Sequence, residues 1–121
     1  MNRNKSSTRY YSSKQEKEVA EKVKGKVTPN SGATSWQKGD ININGQESFL
    51  LECKTKTSNS NSISIKKEWI DKNREEAAFM GKKHQVIVFN FGPDYPYSEN
   101  HYIIDEYLFN ELKDYLNEKY T

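Results

Sequence analysis

The spacing of apolar residues changes repeatedly along the chain, and each change marks an element. Across residues 14–25, KQEKEVAEKVKG, Val19 and Val23 stand four apart with Ala20 beside them, which predicts a helix closing at Gly25. The following KVTPNSGATSWQKGD is broken by Pro29, Asn30, Gly32 and Gly39 and reads as an exposed loop. DINI and SFLLECK then read as strands. Residues two apart in a strand share a face, so Asp40 and Asn42 lie opposite Ile41 and Ile43, while Leu50, Glu52 and Lys54 lie opposite Phe49, Leu51 and Cys53. After the polar stretch TKTSNSNS, Ser64 is placed to cap a helix over residues 65–80 that Gly81 ends, with Ile70, Ala77 and Trp69 in its buried stripe. HQVIVFNF is apolar on both alternating faces, the mark of a central strand covered on both sides. A turn-rich excursion containing Pro93 and Pro96 leads to a short strand around residues 102–104. Asp105 then caps a last helix in which Leu108, Leu112, Tyr115 and Leu116 recur at helical spacing. The predicted class is α/β: a mixed β-sheet flanked by helices, in the order α-β-β-β-α-β-β-α, with the optional third strand placed just before the second helix.

Asn44-Gly45 is a strong hairpin signal, and the length of that turn decides which side chains share a face. A two-residue turn pairs Asn42 with Glu47 and carries Asp40 to the face of Phe49 and Leu51, splitting the acids across the sheet. A three-residue connection over residues 44–46, or an equivalent bulge, pairs Ile43 with Glu47, Ile41 with Phe49 and Asp40 with Leu50. Glu52 then lies diagonal to Asp40 at roughly 7 Å along the backbone, and both side chains can lean toward one cation. The odd-numbered connection is the expectation.

At 121 residues the chain has room for about one domain, taken as residues 14–121, preceded by a flexible basic arm over residues 1–13. A hydrophobic content of 33% beside 30% charged residues implies a modest core and favours cover by a partner subunit. The net charge of +2 does not announce nucleic-acid binding, so any electrostatic footprint depends on where the charges sit. Cys53 is the only cysteine, which excludes an internal disulfide and a Cys-rich zinc site. With no signal-like or membrane-length apolar run in view, the expectation is a soluble cytoplasmic protein, with no membrane partner and no organic cofactor.

Glu-x-Lys alone means little in a chain this rich in charge, and Glu111-Leu112-Lys113 repeats it within a predicted helix, where residues two apart diverge. Glu52-Cys53-Lys54 differs because a strand sets both ends on one face and an acid heads the preceding strand. The strings KQEKEVA, PNSGATSWQKGD, FLLECKTKTS and SISIKKEWI, followed by GKKHQVIVF, resemble the small Holliday-junction-resolvase-like branch of the PD-(D/E)XK nuclease superfamily, a branch often encoded by bacteriophages. The resemblance runs from about residue 14 to residue 91. It implies a restriction-endonuclease-like core in which Asp40, Glu52 and Lys54 form the central motif and Glu16 is the acid of the first helix, with Glu18 and Glu21 as neighbours that can replace it. Gly39 stands where the motif has proline.

Asp40 and Glu52 are hard oxygen ligands suited to Mg2+, with Mn2+ as substitute; the main-chain carbonyl of Cys53 falls near the same position, and Glu16 can ligand a second ion or hydrogen-bond a metal-bound water. Lys54 can orient a water or offset charge on the phosphorane, a task for a compact ammonium rather than a guanidinium. Arg9, Ser31, Gly32, Lys38, Lys56 and Lys67 are candidate DNA contacts, and Trp36 a candidate wedge or ordinary packing residue. The spacing of His84 and His101 does not suggest zinc. The leading expectation is a homodimeric, metal-dependent endonuclease that resolves four-way DNA junctions by paired nicks in a bacterial cytoplasm. Cleavage of flaps, nicks or linear duplex, and DNA binding without turnover, remain as alternatives.

Overall fold

A computed structural model describes residues 8–28, 40–93 and 99–120, with residues 8–13 described by their backbone alone. The described residues form an α/β unit in which three helices, α1 (Thr8–Val23), α2 (Lys67–Phe79) and α3 (Glu106–Lys119), surround a five-stranded mixed open sheet. Its strands are β1 (Lys26–Val27), β2 (Ile41–Ile43), β3 (Phe49–Lys54), β4 (His84–Phe89) and β5 (His101–Ile103), hydrogen-bonded in sequence order. Only β3 and β4 run parallel; the other neighbours are antiparallel. The parallel pair needs a crossover, and α2 provides it.

Burial on both sides of the sheet follows from the sequence pattern. On one face Val19 and Ala20 of α1 pack with Ile41, Leu51, Cys53, Val86 and Val88. On the other, Leu50 and Ile87 are buried beside α2, whose inward residues are Asn73 and Ala77. Each face removes only a handful of aliphatic side chains from water, so the core is small for the chain.

Several boundaries differ from the sequence expectation for identifiable reasons. Helix α1 begins at Thr8 rather than at residue 14, so residues 8–13 of the expected arm are helical. It ends before Lys24, which takes the left-handed conformation (φ 57°), while Gly25 is required by close approach: a Cβ there would stand 2.8 Å from Ile41 Cγ2 and 2.9 Å from the Asn42 carbonyl. The extra short strand lies ahead of Asp40, as β1, and not after Lys54. Lys66 occupies the N-cap of α2 with no side-chain capping bond, displacing Ser64 from that role, and Gly81 follows the helix with φ 70° as expected.

The β2–β3 connection spans residues 44–48, and the ladder pairs Ile41 with Leu51, Asn42 with Leu50 and Ile43 with Phe49. The loop is odd-numbered, as the face argument demands, but longer by two residues, so every pairing shifts while the faces keep their partners. No helix among the described residues is long and apolar enough to cross a membrane.

Candidate active site

Glu52 and Lys54 project from the α2 side of β3 near its carboxyl end. Lys54 Nζ lies 3.6 Å from Glu52 Oε2 and 4.8 Å from the ring centroid of Trp69, a residue of α2. The ammonium thus sits between a carboxylate and an aromatic face.

Asp40 arrives from the neighbouring strand by a local irregularity. Its N–H donates to the Leu51 carbonyl at 3.1 Å, although Leu51 is already the ladder partner of Ile41. Two residues on one side therefore oppose one on the other, a bulge, which re-aims the first side chain. The redirected carboxylate accepts the Cys53 N–H at Oδ2, 2.6 Å away. Because the N–H and C=O of one strand residue face the same edge, the Cys53 carbonyl is directed to the Asp40 side as well. Helix α1 adds Glu16, whose side chain hydrogen-bonds Asp40. Of the acids at 16, 18 and 21, Glu16 is the one with this bond; Glu21 is exposed.

Three carboxylates influence one another here with one ammonium close by, and their titration reflects it. Burial, and then the charges of Asp40 and Glu52, push the Glu16 carboxyl up to about 7. Burial and then Asp40 raise Glu52 to about 7 as well, Lys54 offsetting only part of the effect. Acids whose folded values are raised hold protons more tightly when folded, so their contribution to stability is present below about 4.5 and is lost as pH climbs to about 7. Glu47 is shifted the opposite way by His84 and Lys83, and its effect falls below that window. The metal-free protein is therefore expected to melt at a higher temperature at pH 5.5 than at pH 8. The difference should be on the order of 2 kcal/mol once solvent screening of Glu16 is allowed for, and calorimetry should find it reduced in a Glu16→Gln, Glu52→Gln double variant.

Oxygen donors whose charges repel are what a hard divalent cation neutralises. Among the described residues, no group of three or more His, Cys, Asp and Glu side chains forms a ready-made metal cage. Mg2+ is commonly held by one or two carboxylates and keeps several waters. Asp40, Glu52 and the Cys53 carbonyl are the groups that would hold such a cation, with Glu16 hydrogen-bonded to Asp40 beside them. The Cys53 thiol belongs to the core, and burial pushes its ionisation far up, so the residue contributes through its backbone.

Two participants were not singled out from sequence. Gln15 is 3% exposed, and its Nε2 donates to the Lys54 carbonyl at 2.8 Å and to Asn100 Oδ1 at 3.2 Å, tying α1 to the end of β3 just beyond the catalytic candidates. The signal was available: Gln15, Val19 and Val23 lie four apart, so a polar side chain heads the buried stripe. Trp69, whose spacing predicts only a place in the buried stripe of α2, is half-buried and lies under the Lys54 ammonium.

Of the candidate DNA contacts, Lys56 and Lys67 fall among the described residues. Lys67 lies on exposed helix surface, paired with Asp71 at 2.8 Å; Lys56 is half-buried two residues past Lys54. Ser31, Gly32, Trp36 and Lys38, and the Arg9 side chain, lie outside the described residues. His84 is buried between Glu47 (2.8 Å) and the Tyr107 hydroxyl (3.0 Å), where it fastens α3 to the sheet. His101 packs against Phe89 and Phe91. Compared with protein-family profiles, curated proteins and solved structures, the chain matches none.

Proposed function

We propose that this protein is a Mg2+-dependent endodeoxyribonuclease with a restriction-endonuclease-like core, acting on branched DNA and first of all on four-way junctions. The observation that carries the reading is the meeting of Glu16, Asp40 and Glu52 beside Lys54 at the carboxyl end of β3, with two of the acids raised to about 7. Groups brought together at such mutual expense are characteristic of functional sites. A surface salt bridge would explain Glu52 and Lys54 alone; it does not explain a bulge that turns a second carboxylate, Asp40, onto the Cys53 N–H between them.

A bound divalent cation would supply Lewis-acid polarisation of the scissile phosphate and acidify an attacking water. The chain's own groups do the rest. Asp40, held by the Cys53 N–H, presents a fixed ligand oxygen. Glu52 shares its charge between that position and Lys54. Lys54 orients the water or offsets charge growing on the phosphorane, and the Trp69 ring limits where its ammonium can swing. Glu16, titrating near neutrality, can hold a proton at its carboxyl while hydrogen-bonded to Asp40. Opposed incisions on a symmetric junction call for two such sites, hence a homodimer.

The test is incubation of the full chain with a synthetic four-way junction and a matched linear duplex, each with Mg2+ or with chelator. Mg2+-dependent, symmetric nicks confined to the junction are expected. Equal cutting of both substrates would move the assignment to a general DNA nuclease, and binding without cutting in either Mg2+ or Mn2+ would leave a DNA-binding protein.

A further inference from the structure

The parallel ladder of β3 and β4 ends at the pair Lys54 and Phe89, and polar side chains link the two strands beyond it. The Thr55 hydroxyl donates to Asn90 Oδ1 at 2.7 Å, and the same oxygen accepts the Gly92 N–H at 3.1 Å. Asn90 Nδ2 donates to Asn100 Oδ1 at 3.1 Å, which also accepts Gln15 Nε2 at 3.2 Å. Gln15 Nε2 donates in addition to the Lys54 carbonyl at 2.8 Å and reaches the Val88 carbonyl at 3.4 Å. Because Thr55 follows Lys54 in the chain, these bonds close a circuit that joins α1, β3, β4 and the segment leading into β5. Gln15 and Asn90 are both buried, so water does not compete for the bonds they make.

Packing alone does not account for a glutamine at the head of the buried stripe of α1. Its Oε1 is buried and takes no donor from the described residues, a cost that an apolar side chain of the same length avoids. What the amide adds is direction. Val19 and Ala20 hold α1 on the sheet by apolar contact, which resists lifting but fixes neither the slide nor the rotation of the helix. A hydrogen bond to a strand carbonyl fixes both. Gln15 is followed by Glu16, the acid that bonds Asp40, and the carbonyl it holds belongs to Lys54, next along the chain from the Cys53 carbonyl. We propose that Gln15 is a positioning residue of the candidate active site: through the circuit with Thr55, Asn90 and Asn100 it sets Glu16 against Asp40 and holds the backbone that carries Lys54. The inference rests on the reading of Asp40, Glu52 and the Cys53 carbonyl as metal ligands, and it touches neither the cation nor the DNA directly.

Titration of the full chain with Mn2+, followed by the electron paramagnetic resonance signal of the free ion, tests the role without turnover. Gln15→Met should bind Mn2+ about tenfold more weakly, the lower end of what loss of a supporting partner does to a metal site. Thr55→Val should shift binding in the same direction, and Thr55→Ser, which keeps the hydroxyl, should stay close to wild type. At saturating Mg2+ the Gln15→Met protein should also cut a four-way junction about tenfold more slowly, since Lys54 stays misplaced, while binding the junction in Ca2+ with unchanged affinity. Circular dichroism establishes that each variant is folded. Folded Gln15→Met and Thr55→Val proteins that match wild type in Mn2+ binding overturn the proposal, as does a Thr55→Ser protein that behaves like Thr55→Val. Unfolding of both Gln15→Met and Thr55→Val would make the circuit purely structural, and a wild type that takes up no Mn2+ removes the site that Gln15 is held to support. A wild type that binds Mn2+ and cuts no DNA sinks the nuclease reading alone, and the Mn2+ titrations still decide this one.

Discussion

Asp40→Asn is expected to slow Mg2+-dependent cleavage by about 10³-fold, a loss of about 4 kcal/mol of transition-state stabilisation, while leaving the fold as stable or more so. On the proposed nuclease reading the two effects separate, because the structural bond needs only an acceptor oxygen while the chemistry needs the charge. An asparagine Oδ1 can still accept the Cys53 N–H that Asp40 Oδ2 now accepts at 2.6 Å, so the bulge keeps its anchor. What disappears is a negative charge, and with it one of the causes that raise Glu16 and Glu52 to about 7. Both carboxyls should move back toward their ordinary values, and the metal-free protein should gain stability at pH 8, where the repulsion is greatest. Single-turnover cleavage and thermal melting on the same preparation decide the matter. A variant that cuts within tenfold of wild type would remove Asp40 from the catalytic set, and one that unfolds would make it structural.

Lys54→Arg should cost about 10²-fold in cleavage rate although the charge is preserved. Arginine's planar fork suits both neighbours that Lys54 has: it can grip Glu52 with two bonds and stack on Trp69. The better those contacts, the less freely the cation and the Glu52 carboxylate can turn to a water or a phosphate. The variant should therefore fold well, bind a junction at unchanged salt with wild-type affinity, and cut slowly. Cleavage within threefold of wild type would mean that only charge matters at this position.

The element order was legible because the periods are clean. VIVF is apolar at every position and became a strand covered by α1 on one side and α2 on the other. The face on which Glu52 and Lys54 lie was legible too, since alternation leaves no choice once the strand is granted. Boundaries were less so. The first helix reaches back to Thr8 through TRYYSS, a segment without apolar periodicity, and Lys24 rather than glycine takes the left-handed position at its end. Leu112 and Leu116 recur at helical spacing with the buried Leu108, yet they are exposed, because a helical stripe says that a face wants cover and not what covers it.

Sequence by itself determined which residue types could do chemistry here and that the β2–β3 connection had to be odd for Asp40 and Glu52 to meet. Tertiary structure decided how they meet. The five-residue loop and the bulge at Asp40 are choices among backbone paths of similar local energy, settled by packing Ile41, Leu51 and Cys53 under α1. The same packing selected Glu16 over its neighbours and brought Gln15 to the end of β3, because only the docked helix fixes which of its polar residues face the sheet. Local propensity acts over a few residues; the distance between residue 16 and residue 40 is set by the core that lies between them.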